Sequence, residues 1–556
     1  MRSQSGDAKG AALEKAEPVT EYDYIIVGAG SAGCVLAERL SAGGRHRILL
    51  LEAGPSDRRF WIQVPIGYGR TYYDDRVNWM YQSEPIPALA DRTNYFPRGK
   101  VLGGSSSINA MVYSRGQAGD FDAWEALGNP GWGWRDVLPL YKRMEDHALG
   151  AGPFHGAGGP VHISDISAEA HGLTHLYVKA GQEAGLPFNP DLNGETTEGV
   201  GYYQINTRHG LRLSASRAYL WPARGRANLR IETAALATRI LLDGKRAIGV
   251  AYERHGHMRE ARAGREIILS CGSINSPQLL QLSGIGPAEV LASCGIAVAH
   301  ESQAVGRHLQ DHLCFDHVYR STLPSLNDDL YPWWGKLRAG LRYVLTRSGP
   351  LSLSVNQGGG FFRSRPGLER PNIQLYFSPL TYEKTPPGTR RLASPDPFPG
   401  FITSVSPCRP TSRGHLRIVS PDPRAAPAIH PNYLSTSHDV EELLDGARFL
   451  CRLAAAPSLA GIIAEELKPG PAVHSDAERI ADIRARAYSV FHPVSTCRMG
   501  QDKTDSVVDH RLRVHGIDRL RVIDASIFPT VTSGNTNAPA MLVGEKGADL
   551  VLADAG

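Results

Sequence analysis

Asp23-Tyr-Ile-Ile-Val-Gly-Ala-Gly-Ser-Ala-Gly-Cys-Val-Leu-Ala-Glu-Arg-Leu-Ser-Ala-Gly-Gly-Arg-His-Arg-Ile-Leu-Leu-Leu-Glu52 spells a whole βαβ unit. Tyr24–Val27 is an apolar run of the length of a buried parallel strand. Gly28-Ala-Gly30-Ser31-Ala32-Gly33 follows at once and fits the G-x-G-x-x-G pattern. Ala32, Val35, Leu36 and Leu40 then share one face of a helix, Gly43-Gly44 turns the chain, and Ile48–Leu51 forms a second strand. Gly28 permits the tight turn, Gly30 lets a pyrophosphate approach the backbone, and Gly33 allows helix and strand to pack closely. The unclaimed N–H groups of the helix start, at the positive end of its dipole, suit that pyrophosphate. Glu52 stands 24 positions beyond Gly28, where a carboxylate accepts ribose hydroxyls. The unit implies an adenine dinucleotide and leaves NAD and FAD both open.

The chain has 556 residues, enough for two to four domains on length alone. Its 60 basic and 56 acidic residues nearly balance, and nothing in that balance argues for nucleic acid or an anionic membrane surface. No run approaches the ~20 apolar residues of a transmembrane helix. Residues 1–20 lack a signal-peptide core and read as a disordered tail. Seven cysteines are odd in number and form no C-x-x-C pair, so no metal and no disulfide framework is expected, and the composition reads as a reduced, cytoplasmic enzyme.

Aromatic residues crowd the stretch from Phe60 to Tyr81, which suits core packing of an irregular segment and, secondarily, a pocket wall. Pro97-Arg98-Gly-Lys100-Val-Leu-Gly-Gly-Ser-Ser-Ser-Ile-Asn-Ala-Met-Val-Tyr113 places paired glycines before three serines, a loop suited to a polar ligand. Trp124, Trp132 and Trp134 read as packing anchors. Gly150–Gly159 reads as a flexible domain crossing, with His155 a surface loop residue. Leu229–Ile231, Ala237–Leu242 and Ala247–Tyr252 read together as a β-meander with a D-G turn at Asp243-Gly244. Arg265–Ser270 is a buried strand feeding Gly272-Ser-Ile-Asn-Ser-Pro-Gln-Leu-Leu-Gln-Leu-Ser-Gly-Ile-Gly286. Beyond residue 311 prolines and aromatics become frequent, amphipathic helices are expected near 335–347 and 438–456, and 381–399 is the candidate lid over a substrate domain. Phe491-His-Pro-Val-Ser-Thr-Cys-Arg-Met-Gly500 and Phe528–Pro539 precede a closing helix over 540–554.

The Arg98–Tyr113 and Gly272–Gly286 runs resemble the two motifs of the glucose–methanol–choline oxidoreductases, flavoenzymes that oxidise alcohols. The resemblance extends from Tyr22 to about Ala553. It implies an α/β fold in which a Rossmann-like FAD domain, a parallel sheet with a β-meander (21–160, 200–310 and 495–556), is interleaved with an α+β substrate domain (161–199 and 311–494). It implies FAD contacts at Gly28, Gly30, Ser31, Ala32, Gly33, Glu52, Arg98, Val101, Gly103, Gly104, Ser105, Asn109, Ala110, Met111, Val112, Ala237, Asp524, Ala525, Asn535 and Thr536. Some members attach FAD through a histidine in the first motif; this chain has Ile108 there, so noncovalent FAD is expected. The C-terminal segment resembles the family's catalytic motif, which makes His492 the base and Asn535 the group holding the substrate oxygen; Ser495 departs from the glycine many members carry. The chemistry also asks for such a base, because a carbonyl product has no hydroxyl proton and neutral imidazole accepts one near pH 7. The expected activity is oxidation of a primary alcohol to an aldehyde, with O₂ or another acceptor taking the electrons. The alternative on this scaffold is a hydroxynitrile-lyase-type enzyme in which FAD has no redox role.

Overall fold

The computed structural model describes residues 21–382 and 394–555; the expected tail and most of the expected lid lie outside the described residues. Two sheets organise the chain. The first is built on the opening unit: β1 (Glu21–Val27), α1 (Ser31–Ser41) and β2 (Ile48–Leu51). β1 lies between β2 and a long later strand, all parallel, with Ile25 facing Leu49 on one side and Ile267 on the other. Ile25, Ile26 and Leu50 are fully buried, as strands covered on both faces must be.

β3 (Leu229–Glu232) runs parallel to β2 at the sheet edge. This corrects the expected meander: Leu229–Ile231 belongs to the parallel layer, because Ile48 N–H bonds to the Asn228 carbonyl and Leu229 registers with Ile48. The meander itself comprises β4 (Ala235–Asp243), β5 (Arg246–Arg254) and β6 (His257–Leu269), antiparallel in succession. β6 is long enough to serve both parts. Its first half closes the meander, and its second half lies between β1 and the short parallel strand formed by Leu520–Val522. Gly272–Leu282 follows as a helix.

The second sheet comprises β7 (Leu313–Ser321), β8 (Gly358–Phe362), β9 (Ile373–Ser378), β10 (Gly400–Pro407) and β11 (Ile463–Lys468), in the order β8-β9-β10-β7-β11. All its pairings are antiparallel. Helices α2 (Gly172–Glu183) and α3 (Ser437–Ala454) cover it, giving a separate core of Leu173, Tyr177, Phe377, Phe401, Leu443 and Leu450. The expected amphipathic helices appear as α4 (Trp333–Thr346) and α3; the closing helix is α5 (Asn537–Asp554).

Trp124 and Trp132 are fully buried, while Trp134 packs partly buried against the same core. The glycine-rich 150–159 segment differs from its reading. His155 is buried, its Nε2 2.7 Å from Asp191 Oδ2 and its Nδ1 3.2 Å from Glu145 Oε2. Burial alone would lower its pKa, but the two carboxylates outweigh that and raise it. His147, His155 and Asp191 stand close enough to share a metal ion, yet both His155 nitrogens already face carboxylates, and Arg115 lies 3.4 Å from Glu145. The cluster is a buried ion network that pins the segment. All seven cysteines are free thiols, and Cys497 is fully buried.

Candidate active site

A cavity lined from both sheets runs through the molecule, with an empty volume of about 2160 Å³ including its mouth. Its lining runs from Gly28 and Glu52 at one end to His492 and Asn535 at the other, which suits an extended ligand. One end is made by the opening unit. Gly28 has φ +97°, and a Cβ there would lie 2.5 Å from the Ser270 carbonyl oxygen. No side chain caps α1 at Gly30, so the first-turn N–H groups of Ser31 and Ala32 remain available beside the cavity.

Glu52 lies at the adjacent wall. Its Oε2 accepts the Ala29 N–H at 3.0 Å and its Oε1 the Gly54 N–H at 2.8 Å. A carboxylate offers about four lone-pair sites, so two remain for a diol. Burial pushes its pKa up to about 7 against the downward pull of those N–H groups and Lys100. Ala237 lines the same end, on the meander.

The glycine-serine loop forms one tight turn of helix over Gly104–Ser107 and lies directly against the first motif. Gly103 N–H donates to the Ala29 carbonyl at 2.7 Å, and a Cβ on Gly104 would sit 2.7 Å from Gly30 Cα. Gly104, Ser105, Ile108, Asn109, Ala110, Met111 and Val112 all line the cavity, as do Arg98, Asp524, Ala525 and Thr536. Three expected contacts stand behind the wall instead. Gly33 is where a Cβ would strike the Gly28 oxygen at 2.0 Å, Val101 is fully buried among Ile62, Val77 and Ile108, and Gly103 turns the loop at φ +88°. Asp524 is a strut as well as a wall: its Oδ2 accepts from Gly272 N–H at 2.9 Å and Ser276 Oγ at 2.6 Å.

His492 and Asn535 meet at the other end. His492 Nε2 is 3.2 Å from Asn535 Nδ2, and His492 Nδ1 is 3.0 Å from Nδ1 of His312. The hydrogen-bond directions can be followed inward from His312. Its Nε2 lies 2.9 Å from the Cys408 carbonyl oxygen, which only accepts, so that nitrogen carries the proton. Burial pushes His312 down to about 4, leaving it neutral with a lone pair on Nδ1. His492 Nδ1 must therefore donate, and its Nε2 lone pair, on the cavity side, accepts from Asn535 Nδ2. Burial, then His312, then Arg98 hold the His492 pKa well below the ordinary histidine value. Asn535 is oriented likewise: Gln374 Nε2 reaches its Oδ1 at 3.3 Å, which turns Nδ2 toward His492.

Asp311 fixes the backbone at this point. Its Oδ1 accepts the N–H of His492 at 2.6 Å and of His312 at 2.9 Å, and its Oδ2 accepts from Ser489 Oγ at 2.5 Å and from the Tyr433 hydroxyl. Asp311 and His312 carried no role in the sequence reading, although an adjacent buried Asp-His pair was a signal to follow. Ser495 adopts φ +74°, the left-handed conformation that glycine takes without strain, so the position suits the glycine many members carry and the serine here bears the strain. Tyr68 and Tyr72 (ring centroids 5.5 Å apart) and Phe491, 5.6 Å from Tyr72, line this end. The aromatic stretch therefore serves in part as wall; Phe60 is exposed.

These residues fit FAD. The cavity presents an uncapped helix start, a buried acid with spare lone pairs and a side-chain-free strip where Gly30 and Gly104 touch, in one continuous space with His492. Models of the GMC oxidoreductase family match residues 22–314 and 410–544. The chain is 42% identical over 536 residues to an alcohol dehydrogenase [acceptor] of Pseudomonas putida, covering 96% of each. It is 41% identical over 561 residues to the mitochondrial choline dehydrogenase of Homo sapiens, covering 99% of this chain and 93% of that one. Among solved structures it resembles pyridoxine 4-oxidase from Mesorbium loti, with TM-score 0.85 and 32% identity over 95% of this chain and 98% of that one. Motifs, fold and relatives agree: the chain belongs to the GMC oxidoreductases, FAD-dependent enzymes acting on CH–OH donors.

Proposed function

We propose that the enzyme oxidises a primary alcohol to its aldehyde at the His492–Asn535 end of the cavity, with His492 Nε2 as general base. The observation that carries this reading is the hydrogen-bond series Cys408–His312–His492, which makes Nε2 of a neutral imidazole an acceptor on the cavity side, beside the Asn535 amide. A substrate hydroxyl seated against both Nε2 and Asn535 Nδ2 takes the place of the hydrogen bond between them, giving its proton to the first and receiving a hydrogen bond from the second. Asn535 thereby holds the oxygen while negative charge develops on it, the moment at which a fixed donor helps most. When bound, FAD supplies the acceptor for the two electrons and the carbon-bound hydrogen. Tyr72 and Phe491 exclude water from the oxygen, and no residue side chain at Ile108 offers a nitrogen for covalent attachment, which supports noncovalent FAD.

The relatives named as alcohol and choline dehydrogenases, and the neighbour named as an oxidase, support an alcohol as donor and leave O₂ or another acceptor as the oxidant. Purified holoenzyme mixed anaerobically with a panel of alcohols tests the reading. Bleaching of the flavin absorbance with stoichiometric aldehyde is expected for at least one primary alcohol. A flavin that stays oxidised with every primary alcohol, while another donor class reduces it, overturns it.

A further inference from the structure

Helix α4 is turned the opposite way from an ordinary surface helix. Only Gly335, Ala339 and Tyr343 are buried, a narrow stripe on which the helix rests. Trp333, Trp334, Leu337, Leu341, Val344 and Leu345 are exposed, from 54% to 76% of their surface. With Tyr331 just before the helix, they make up seven of the fifteen large hydrophobic residues that stand exposed among the described residues. At about 100° per residue these six side chains fall within an arc of roughly 120°. Arg338 and Arg342 border the arc on one side, and Lys336 and Arg347 on the other. The helix contains no acid; the acids just before it in sequence are Asp328 and Asp329, in a short preceding helix, and Asp329 pairs with Arg338.

We propose that α4 is a membrane-docking helix that seats this enzyme on an anionic lipid surface. A wide apolar arc with two tryptophans and basic borders matches an interface that is apolar inside and negatively charged at its headgroups. A second copy of the chain is a poorer occupant. An isologous contact through this face would set the basic borders of one helix, Lys336, Arg338, Arg342 and Arg347, against those of the other, with no acid on the helix to offset them. The position also has a consequence for the site. Ala339 belongs to the same small cluster as Tyr68, Met111 and Val355, which line the cavity, so a docked helix brings the substrate end next to the lipid. The docking claim stands independently of the catalytic reading.

The test is co-sedimentation of the holoenzyme with sucrose-loaded vesicles of phosphatidylcholine with or without 30 mol% phosphatidylglycerol. At least fivefold more enzyme should pellet with the anionic vesicles, and 0.5 M NaCl should reduce that excess. The exposed triple variant Trp333→Ser, Leu337→Ser, Leu341→Ser should stay yellow, keep its dye-linked activity in solution and partition at least tenfold less. The pair Lys336→Gln, Arg342→Gln should lose the preference for anionic vesicles. Wild-type enzyme that stays in the supernatant, or a triple variant that pellets like wild type, overturns the proposal. So does dimerisation without vesicles that the triple variant abolishes, which would make the face a contact between copies.

Discussion

Replacing His492 with alanine tests the catalytic reading most directly. The structure gives the ring two separable jobs: Nε2 faces the cavity, while Nδ1 donates to His312. Loss of the base should slow flavin reduction about 10²–10⁴-fold, or about 2.7–5.4 kcal/mol of barrier. Loss of the donor leaves a buried lone pair on His312 unmatched, worth about 1–3 kcal/mol of stability. The two effects are read by different assays, stopped-flow reduction under anaerobic conditions for the first and thermal unfolding of the flavin-loaded protein for the second. Substrate affinity should change less than the reduction rate, because Asn535 and the aromatic wall remain. The wild-type pH profile adds a second constraint. Burial, His312 and Arg98 all depress the His492 pKa, so protonation should not switch the reaction off near pH 6.5, and reduction should stay nearly flat down to about pH 6. An alanine variant within tenfold of wild type, or a wild-type rate that falls with an ordinary histidine pKa, would refute the assignment.

Asn535→Ala removes the fixed donor for the substrate oxygen and should lower the reduction rate about 10²–10³-fold while the protein stays yellow, as measured by the same stopped-flow experiment. His312→Phe fills the space but offers no acceptor to His492 Nδ1; reduction should fall at least tenfold, and His312→Gln, which restores a carbonyl acceptor, should recover part of it. Gly104→Ala puts a methyl 2.7 Å from Gly30 Cα at φ +52°, so released flavin per mole of protein should drop well below that of wild type. In the pH dependence of unfolding, His312 and His317 are both pushed down to about 4 by burial, while their unfolded value is about 6.5. The unfolded chain therefore binds more protons between those limits, and stability should be intact above pH 6.5 and fall below it by about 1.4 kcal/mol per pH unit per histidine, down to about pH 4. A chemical-denaturation series from pH 7 to 5 that shows no loss would contradict the burial of these rings.

The dinucleotide end was legible because its physics is local. Strand, glycine turn, helix, strand and acid lie within Asp23–Glu52, and each residue's task follows from its neighbours in sequence. The reactive end was legible only by resemblance. The lone pair of His492 Nε2 lies on the cavity side because His312, 180 positions earlier, accepts from its other nitrogen, and His312 can do so because its own Nε2–H donates to the Cys408 carbonyl. No pattern around residue 492 encodes that. His155 shows the same limit from the other side: a glycine-rich neighbourhood reads as solvent, but Glu145 and Asp191 decide otherwise. Leu229–Ile231 announces itself as a strand, while its partner, β2, is a matter of tertiary register. In α4 the amphipathic period was readable and the direction was not, since a helical wheel does not say which face meets the protein.

The two ends are nonetheless joined by one piece of architecture. Asn535 and Thr536 lie immediately before α5, and α5 runs alongside α1 in the same direction. Ser31 Oγ donates to Asn537 Oδ1 at 2.8 Å near the two N-termini, while Arg39 pairs with Glu545 and, at 2.7 Å, with Asp549 further along. The helices can approach this closely because Gly544 has no side chain; a Cβ there would lie 2.9 Å from the Ala32 oxygen. Neighbouring parallel dipoles repel, so the arrangement must be held by the ion pairs and this packing. What it achieves is that both positive helix ends, each equivalent to about half a charge, open on the same cavity. One faces the wall proposed for the pyrophosphate, and the other begins beside Asn535, the proposed holder of the substrate oxygen. Because α1 and α5 are locked in register, the segment proposed to hold the dinucleotide also sets the position of Asn535, and the proposed catalytic pair inherits its placement from the first βαβ unit of the chain.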